Sequence, residues 1–99
     1  MKVHWTDGAK SRLKLIEEHI ARDAPYVASQ TIRRLILRSR QIGELPYSGR
    51  KVPEYDHTEI REVLERPYRV IYRIRPSQVD ILTVMHYRQL LPTDLEDAD

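Results

Sequence analysis

From Glu59 to Leu90 apolar and polar residues alternate at the period of a β-strand, and Glu65-Arg66-Pro67 and Arg75-Pro76-Ser77-Gln78 interrupt the run. Proline has no N–H to give to a ladder, and β-branched and aromatic residues dominate between the breaks. The stretch therefore predicts three strands joined by two short turns, a β-meander. Upstream the apolar period lengthens to that of a helix. Ala9, Leu13, Ile16 and Ile20 recur at steps of four, three and four, with Lys10, Lys14, Glu17 and Glu18 outside the stripe. Thr6 and Asp7 offer N-cap side chains, and the helix is predicted to run to about Arg22. Asp23-Ala24-Pro25 breaks and restarts the pattern, with the proline in a first turn where its missing N–H does no harm. A second helix follows, with Ala28, Ile32, Leu35, Ile36 and Ile42 on one side and Arg33, Arg34, Arg38 and Arg40 on the other, and Gly43 is expected to end it.

Lys2-Val3-His4-Trp5 suits an edge strand, and residues 45–54 read as a loop by their Pro and Gly content, carrying the basic pair Arg50 and Lys51. Helices joined so tightly lie antiparallel, and their apolar stripes need a sheet to cover. The expected fold is α+β, in the order β-α-α-β-β-β, with an N-terminal helix hairpin packed on one face of a small, mostly antiparallel sheet. One domain spans 1–91, and 92–99 form an acidic tail expected to be flexible.

The turns give a register. With Ile74 and Val79 flanking the second turn, Arg73 faces Asp80, Ile71 faces Leu82 and Arg69 faces Val84; at the first turn Val63 falls near Arg69 and Arg61 near Ile71. One face then carries Ile60, Leu64, Tyr68, Val70, Tyr72, Ile74, Val79, Ile81 and Met85, the side for the helices, with Glu62 as a misfit that a bulge or a solvated strand end would explain. The other carries Arg61, Val63, Arg69, Ile71, Arg73, Leu82, Val84 and His86, a basic rim around an apolar floor, and is expected to receive a partner.

Charge sharpens this picture. The chain has 99 residues, 17 basic and 15 acidic, but four of the acids lie in Pro92–Asp99, which leaves 17 against 11 on the body. Such a balance favours an acidic partner, a nucleic acid or an acidic protein segment, with solubility alone as the other reading. There is no cysteine, and His4, His19, His57 and His86 lack ligand spacing, so neither a metal nor another cofactor is expected. No apolar run approaches the roughly 20 residues of a membrane span. No membrane partner is expected, and the expected location is the cytoplasm.

Taken in order, Trp5-Thr6 with Ala9, Leu13 and Ile16, Asp23-Ala24-Pro25, Pro46-Tyr47-Ser48-Gly49-Arg50 with Val52-Pro53-Glu54, Arg61-Glu62, Tyr68 to Ile74, and Val79 to Arg88 resemble the RelE/ParE superfamily of bacterial toxins, over Val3 to Leu91. The loop PYSGRKVPE and the strand YRVIYRI are most similar to ParE-like members. The resemblance implies a toxin held silent by a cognate antitoxin whose tail wraps it, in a toxin–antitoxin hetero-oligomer. It also implies one of two activities: poisoning of DNA gyrase, as in ParE-like members, or ribosome-dependent cleavage of mRNA, as in RelE-like ones. A relic that only binds its antitoxin is the third reading.

RNA cleavage without a metal needs a base for the 2′-hydroxyl, an acid for the leaving oxygen and cations around the phosphate. Candidates are Glu62 or His86 as base or acid, Tyr87 as acid, and Arg61, Arg69 and Lys51 as the clamp. In a regular strand His86 and Tyr87 point to opposite faces, so they act together only if the strand ends at His86. RelE-like nucleases carry several lysines on the active face, and here Lys51 is the only lysine after Lys14. Gyrase inhibition is accordingly the preferred expectation, with no catalytic residues; for the nuclease alternative they are Arg61, Arg69, His86 and Tyr87. Residues expected to touch the target or the antitoxin are Arg50, Lys51, Arg61, Arg69, Arg73, His86 and Arg88. Beside these stand structural readings: Arg73 as the partner of Asp80, His86 as a satisfied strand-end histidine, and Tyr68, Tyr72 and Trp5 as core.

Overall fold

The structure is a computed structural model that describes residues 1–55, 59–92 and 94–95, so His57 lies outside the described residues. Strand β1 (Lys2–Trp5) is followed by helices α1 (Asp7–Ala21) and α2 (Pro25–Glu44), a 3-10 turn (Pro46–Ser48), and strands β2 (Arg50–Lys51), β3 (Ile60–Glu65), β4 (Tyr68–Ile74) and β5 (Gln78–His86). One sheet holds all five strands in the order β1-β5-β4-β3-β2. Only β1 and β5 run parallel; the other pairs are antiparallel. The α+β order is as expected, with one addition: the basic pair Arg50-Lys51 of the presumed loop is a short edge strand on β3.

Local chemistry accounts for the helices. Thr6 caps α1, its Oγ1 accepting the Ala9 N–H at 3.1 Å while donating to the Ile81 carbonyl at 2.8 Å. Pro25 opens α2 from an Ala24 cap that makes no side-chain bond. Gly43 does not end α2, which runs on to Glu44. A Cβ at Gly43 would lie 2.6 Å from Val3 Cγ2 and 2.7 Å from the Met1 carbonyl oxygen, so this glycine serves the close approach of helix to edge strand.

The register corrects the expected faces in two places. Arg73 does face Asp80 and Ile74 faces Val79, but between Tyr72–Ile81 and Ile71–Thr83 the ladder shifts, leaving Leu82 as an extra residue on β5. Past this bulge the alternation changes parity. Ile71 therefore faces Thr83 instead of Leu82, Arg69 faces Met85 instead of Val84, Val84 and His86 turn toward the helices, and Met85 turns away. At the first turn Glu65 pairs with Tyr68 around Arg66-Pro67, so Val63 faces Val70 and Arg61 faces Tyr72. The whole of β3 is one residue from the expected register. Val63 and Arg61 move to the helix side, and Ile60, Glu62 and Leu64 move to the far side.

Two apolar cores result. Under the helices lie Ala9, Leu35, Ile42, Val63, Val70, Tyr72, Ile74, Val79, Ile81 and Val84, with Trp5, Leu13, Ile16 and Tyr68 at the margin. On the opposite face Ile60, Ile71, Leu82 and Met85 form a second core, closed by Val52 and Tyr55 on one side and by Leu91 and Leu95 on the other. The face expected to stand open for a partner is thus covered by the chain itself. In a domain this small, burying both faces of the sheet enlarges the apolar area removed from water.

Thr6 joins these features, because the carbonyl it holds belongs to the residue before the bulge, and its own N–H donates to the same oxygen at 3.2 Å. Thr6→Val keeps the shape and removes the hydroxyl. It is expected to lower stability by about 1–2 kcal/mol, as for a lost cap with a buried carbonyl left short of a donor. A urea midpoint that falls at unchanged slope is the expected result, and an unchanged midpoint would show the hydroxyl to be dispensable.

Candidate functional site

The strongest electrostatic feature is on the far face of the sheet. Glu62 of β3 has no exposed side-chain surface, and two guanidinium groups hold it: Arg69 Nε at 2.6 Å and Arg50 Nε at 2.6 Å. Arg69, diagonal to it on β4, is 5 % exposed and also grips Glu54 as a fork, Nη1 at 2.9 Å and Nη2 at 3.0 Å. Nη1 further donates to the Gln89 carbonyl at 3.3 Å, and Glu54 accepts the Leu91 N–H at 3.4 Å. One side chain thus links β3, β4, the segment after β2 and the segment after β5. The hydrogen bond from Arg69 holds the Glu54 carboxyl down, from 4.5 to about 2. Hydrogen bonding to Glu54, with that to Glu62, raises the Arg69 guanidinium further above its already high value.

Arg69, for which the register offered no partner and which was expected among the contact residues or on a solvated rim, is bonded through all three guanidinium nitrogens. Arg61 turns the other way. Its Nη1 donates to the Gly49 carbonyl at 2.9 Å, and its guanidinium lies 5.2 Å from the centre of the Tyr47 ring. Arg73 stands opposite Asp80, and Asp80 forms an ion pair with Arg75, supported by Gln78 Nε2 at 2.6 Å.

Strand β5 does end at His86, which satisfies the condition for His86 and Tyr87 to meet: their rings stack at 4.8 Å. His86 Nδ1 accepts the Arg88 N–H at 3.2 Å, and Arg88 Nε donates to the Tyr87 hydroxyl at 3.1 Å. Beside them a cleft of about 540 Å³ opens between α1 and the end of β5, walled by Arg12, Ile16, His19, Tyr68 and Val84. Burial raises the Tyr68 hydroxyl above its ordinary value, against the opposing charge of Arg34. The nuclease candidates are therefore dispersed. His86 pairs with Tyr68 whereas Arg61 pairs with Tyr72, about 13 Å along the ladder at roughly 3.3 Å per residue. Arg69 lies through the sheet on the opposite face.

Arg50, Lys51 and Arg88 are the expected contact residues that remain exposed, Arg50 with its Nε on Glu62. Glu54, Arg75, Tyr47 and Arg38, which shape this surface, were not among the candidates. A signal existed only for Arg75, two residues after Arg73 and equally near Asp80 across the turn. Among the described residues no group of three or more His, Cys, Asp or Glu side chains gathers as a metal site would require, and no helix is long and apolar enough to cross a membrane.

A two-helix hairpin on a five-stranded sheet, with a parallel edge strand from the N-terminus, defines a small α+β class, and comparison with known proteins narrows it. The family model for the ParE toxin of type II toxin–antitoxin systems (parDE) matches residues 3–91. The chain is 34 % identical over 91 residues to a protein of Sinorhizobium fredii (strain NBRC 101917 / NGR234) named "Putative toxin Y4kP", covering 92 % of this chain and 93 % of that one. A solved structure titled "Chromosomal ParDE TA system from P. aeruginosa" superimposes with a TM-score of 0.74 at 21 % identity, over 87 % of this chain and 95 % of that chain, a likeness of fold. The chain belongs to the ParE toxin family of type II toxin–antitoxin systems.

The ion cluster makes two predictions. Arg69→Ala strands Glu54 and leaves buried Glu62 with one cation, so about 3–5 kcal/mol of stability is expected to be lost. Neutralising a freely exposed cation such as Lys51 is expected to change it by less than about 1 kcal/mol, and equal urea midpoints for the two variants would refute the ranking. The second concerns pH. A carboxyl whose folded pKa is about 2 against 4.5 unfolded contributes stability that is complete above pH 4.5 and is lost as pH falls toward 2. The Tm advantage of the wild type over Glu54→Gln is therefore expected to shrink between about pH 5 and about pH 2.5, and an advantage that is constant across that range would contradict it.

Proposed function

We propose that the protein is a toxin that inhibits DNA gyrase and so blocks replication, and that a cognate antitoxin keeps it silent in a hetero-oligomer. Membership of the ParE family supports the reading, and the observation that carries it against RNA cleavage is the position of the arginines. A clamp for a phosphate must stand beside the base and the acid. Arg69 is bonded through every guanidinium nitrogen to protein acceptors on the face away from His86, and Arg61 is bonded to Gly49 a strand's length away. Neither guanidinium stands beside His86 and Tyr87, which speaks against a phosphate clamp there.

One observation favours the nuclease alternative, the stack of His86 on Tyr87 with Arg88 against the phenol. The exposed cations Arg50, Lys51 and Arg88 are the residues we assign to target or antitoxin contact, because they stand at the perimeter with charge facing outward.

Purified gyrase is to be assayed for supercoiling with increasing toxin, beside an mRNA cleavage assay in a translating extract. Supercoiling is expected to fall in proportion to toxin while mRNA stays intact, and His86→Ala with Tyr87→Phe is expected to leave inhibition unchanged. Full supercoiling at excess toxin overturns the gyrase reading. Cleaved mRNA would then favour the nuclease, and two silent assays would favour a chain that only binds its antitoxin.

A further inference from the structure

We propose that Arg38 of α2 and Arg50 of β2 form a seat for a single carboxylate side chain of a protein partner. The partner meant is the antitoxin, so the inference deepens the preceding reading by naming the chemistry of one contact. Where α2 passes the 46–51 turn, at the edge of β3, a recess of about 300 Å³ is lined by the two arginines with Ser48, Glu62, Val63 and Leu64. Arg50 reaches Glu62 through Nε, which leaves its two terminal nitrogens outside that contact, and its side chain is 65 % exposed. Arg38 is steadied from below by Gln41, whose Oε1 accepts from Nη1 at 2.8 Å. Two arginines from different elements thus line one hollow.

The charge decides what fits. Arg69 and Glu54 neutralise each other in their bidentate pair, and Arg61, bonded to the Gly49 carbonyl beside the recess, adds its charge to those of Arg38 and Arg50 against the single Glu62 carboxylate. The recess is therefore positive and suits an anion. A carboxylate on an aliphatic segment matches both features present, a guanidinium fork that accepts it in bidentate fashion and an apolar wall beside it. Val63 is buried and Leu64 is 41 % exposed, so the wall beside the carboxylate offers a ledge for an aliphatic neighbour. The expected occupant is a Glu or Asp adjacent to a Leu, Ile or Val in an extended or helical segment.

The blocked dipeptide Ac-Leu-Glu-NH2 serves as probe, with Ac-Leu-Gln-NH2 and inorganic phosphate as comparisons, in full-length protein with 15N-labelled arginine side chains at constant ionic strength. The Glu dipeptide is expected to shift the Arg38 and Arg50 signals saturably, and the Gln dipeptide and phosphate to bind more weakly. Arg38→Gln is expected to weaken the Glu dipeptide about tenfold, the loss of one charge-assisted bond, while Arg33→Gln on the exposed side of α2 leaves it unchanged. Tighter binding of phosphate, equal binding of the two dipeptides, or an Arg38→Gln variant that binds as the wild type overturns the proposal. So do shifts that follow protein concentration, which would make a second copy of the chain the occupant. Should Arg38→Gln fail to fold, the comparison of probes on the wild type still decides. Neither gyrase nor mRNA enters this experiment, so its failure leaves the gyrase reading standing, and the reverse holds.

Discussion

A carboxyl side chain with no surface to water needs donors in place of the water it has lost, and the far side of this sheet is built around that requirement at Glu62. Arg69 meets most of it, but a guanidinium carries more donors than one carboxylate can use. Glu54 takes the remaining fork and so draws the chain after β2 over the sheet. The carbonyl of Gln89 and the N–H of Leu91 join the same cluster, which brings in the segment after β5. Once these segments cross, Val52, Leu91 and Leu95 have nowhere to lie except over Ile60, Ile71, Leu82 and Met85. The ionic and apolar parts depend on each other, since the second core excludes the water that would weaken the ion pairs, and the ion pairs hold down a cover too short to fold alone.

The bulge at Leu82 plays a corresponding role between the faces. A β5 without it would keep Val84 pointing away from the helices and Met85 toward them. The extra residue reverses this, so that one strand supplies Val79, Ile81 and Val84 to the first core and Leu82 and Met85 to the second. Thr6 holds the carbonyl just before the irregularity with both its hydroxyl and its N–H. The start of α1 and the reversal of the sheet are therefore one structural event, and the parallel pairing of β1 with β5 brings Thr6 to it.

The order of the main elements, both helices, the Thr6 cap, the N-terminal edge strand and the Arg73–Asp80 register were legible because they rest on local signals: periodicity, a capping side chain and proline breaks. The faces were not. A strand buried on both sides has apolar residues at odd and even positions alike, so β4 and β5 carry no parity from which to choose, and a single bulge or a one-residue ambiguity at Arg66-Pro67 inverts the assignment. Glu62 was the one visible warning, a charge on a face otherwise apolar, and the one-residue shift of β3 resolves it. The ion cluster could not be read because Glu54 and Arg69 are 15 positions apart in different kinds of structure, and nothing local links them. The burial of Arg69 was invisible for that reason: an arginine on a strand looks the same whether it faces a partner or a buried carboxylate.

With both faces of the sheet closed, what the protein offers a partner lies on the outside of its helices and at the edges of the sheet. That alters the kind of partner that suits the protein. A compact partner would need one broad apolar face, and the sheet offers none. An extended or partly helical segment can instead collect dispersed contacts, one at the Arg38–Arg50 recess, others in the cleft beside His86 and along the arginines of α2, and gain affinity from the length it covers. Each contact is modest by itself because exposed ion pairs contribute little. Together they require a partner whose acidic and aliphatic residues are spaced to match, which is how a small basic protein with no single deep pocket can still be selective.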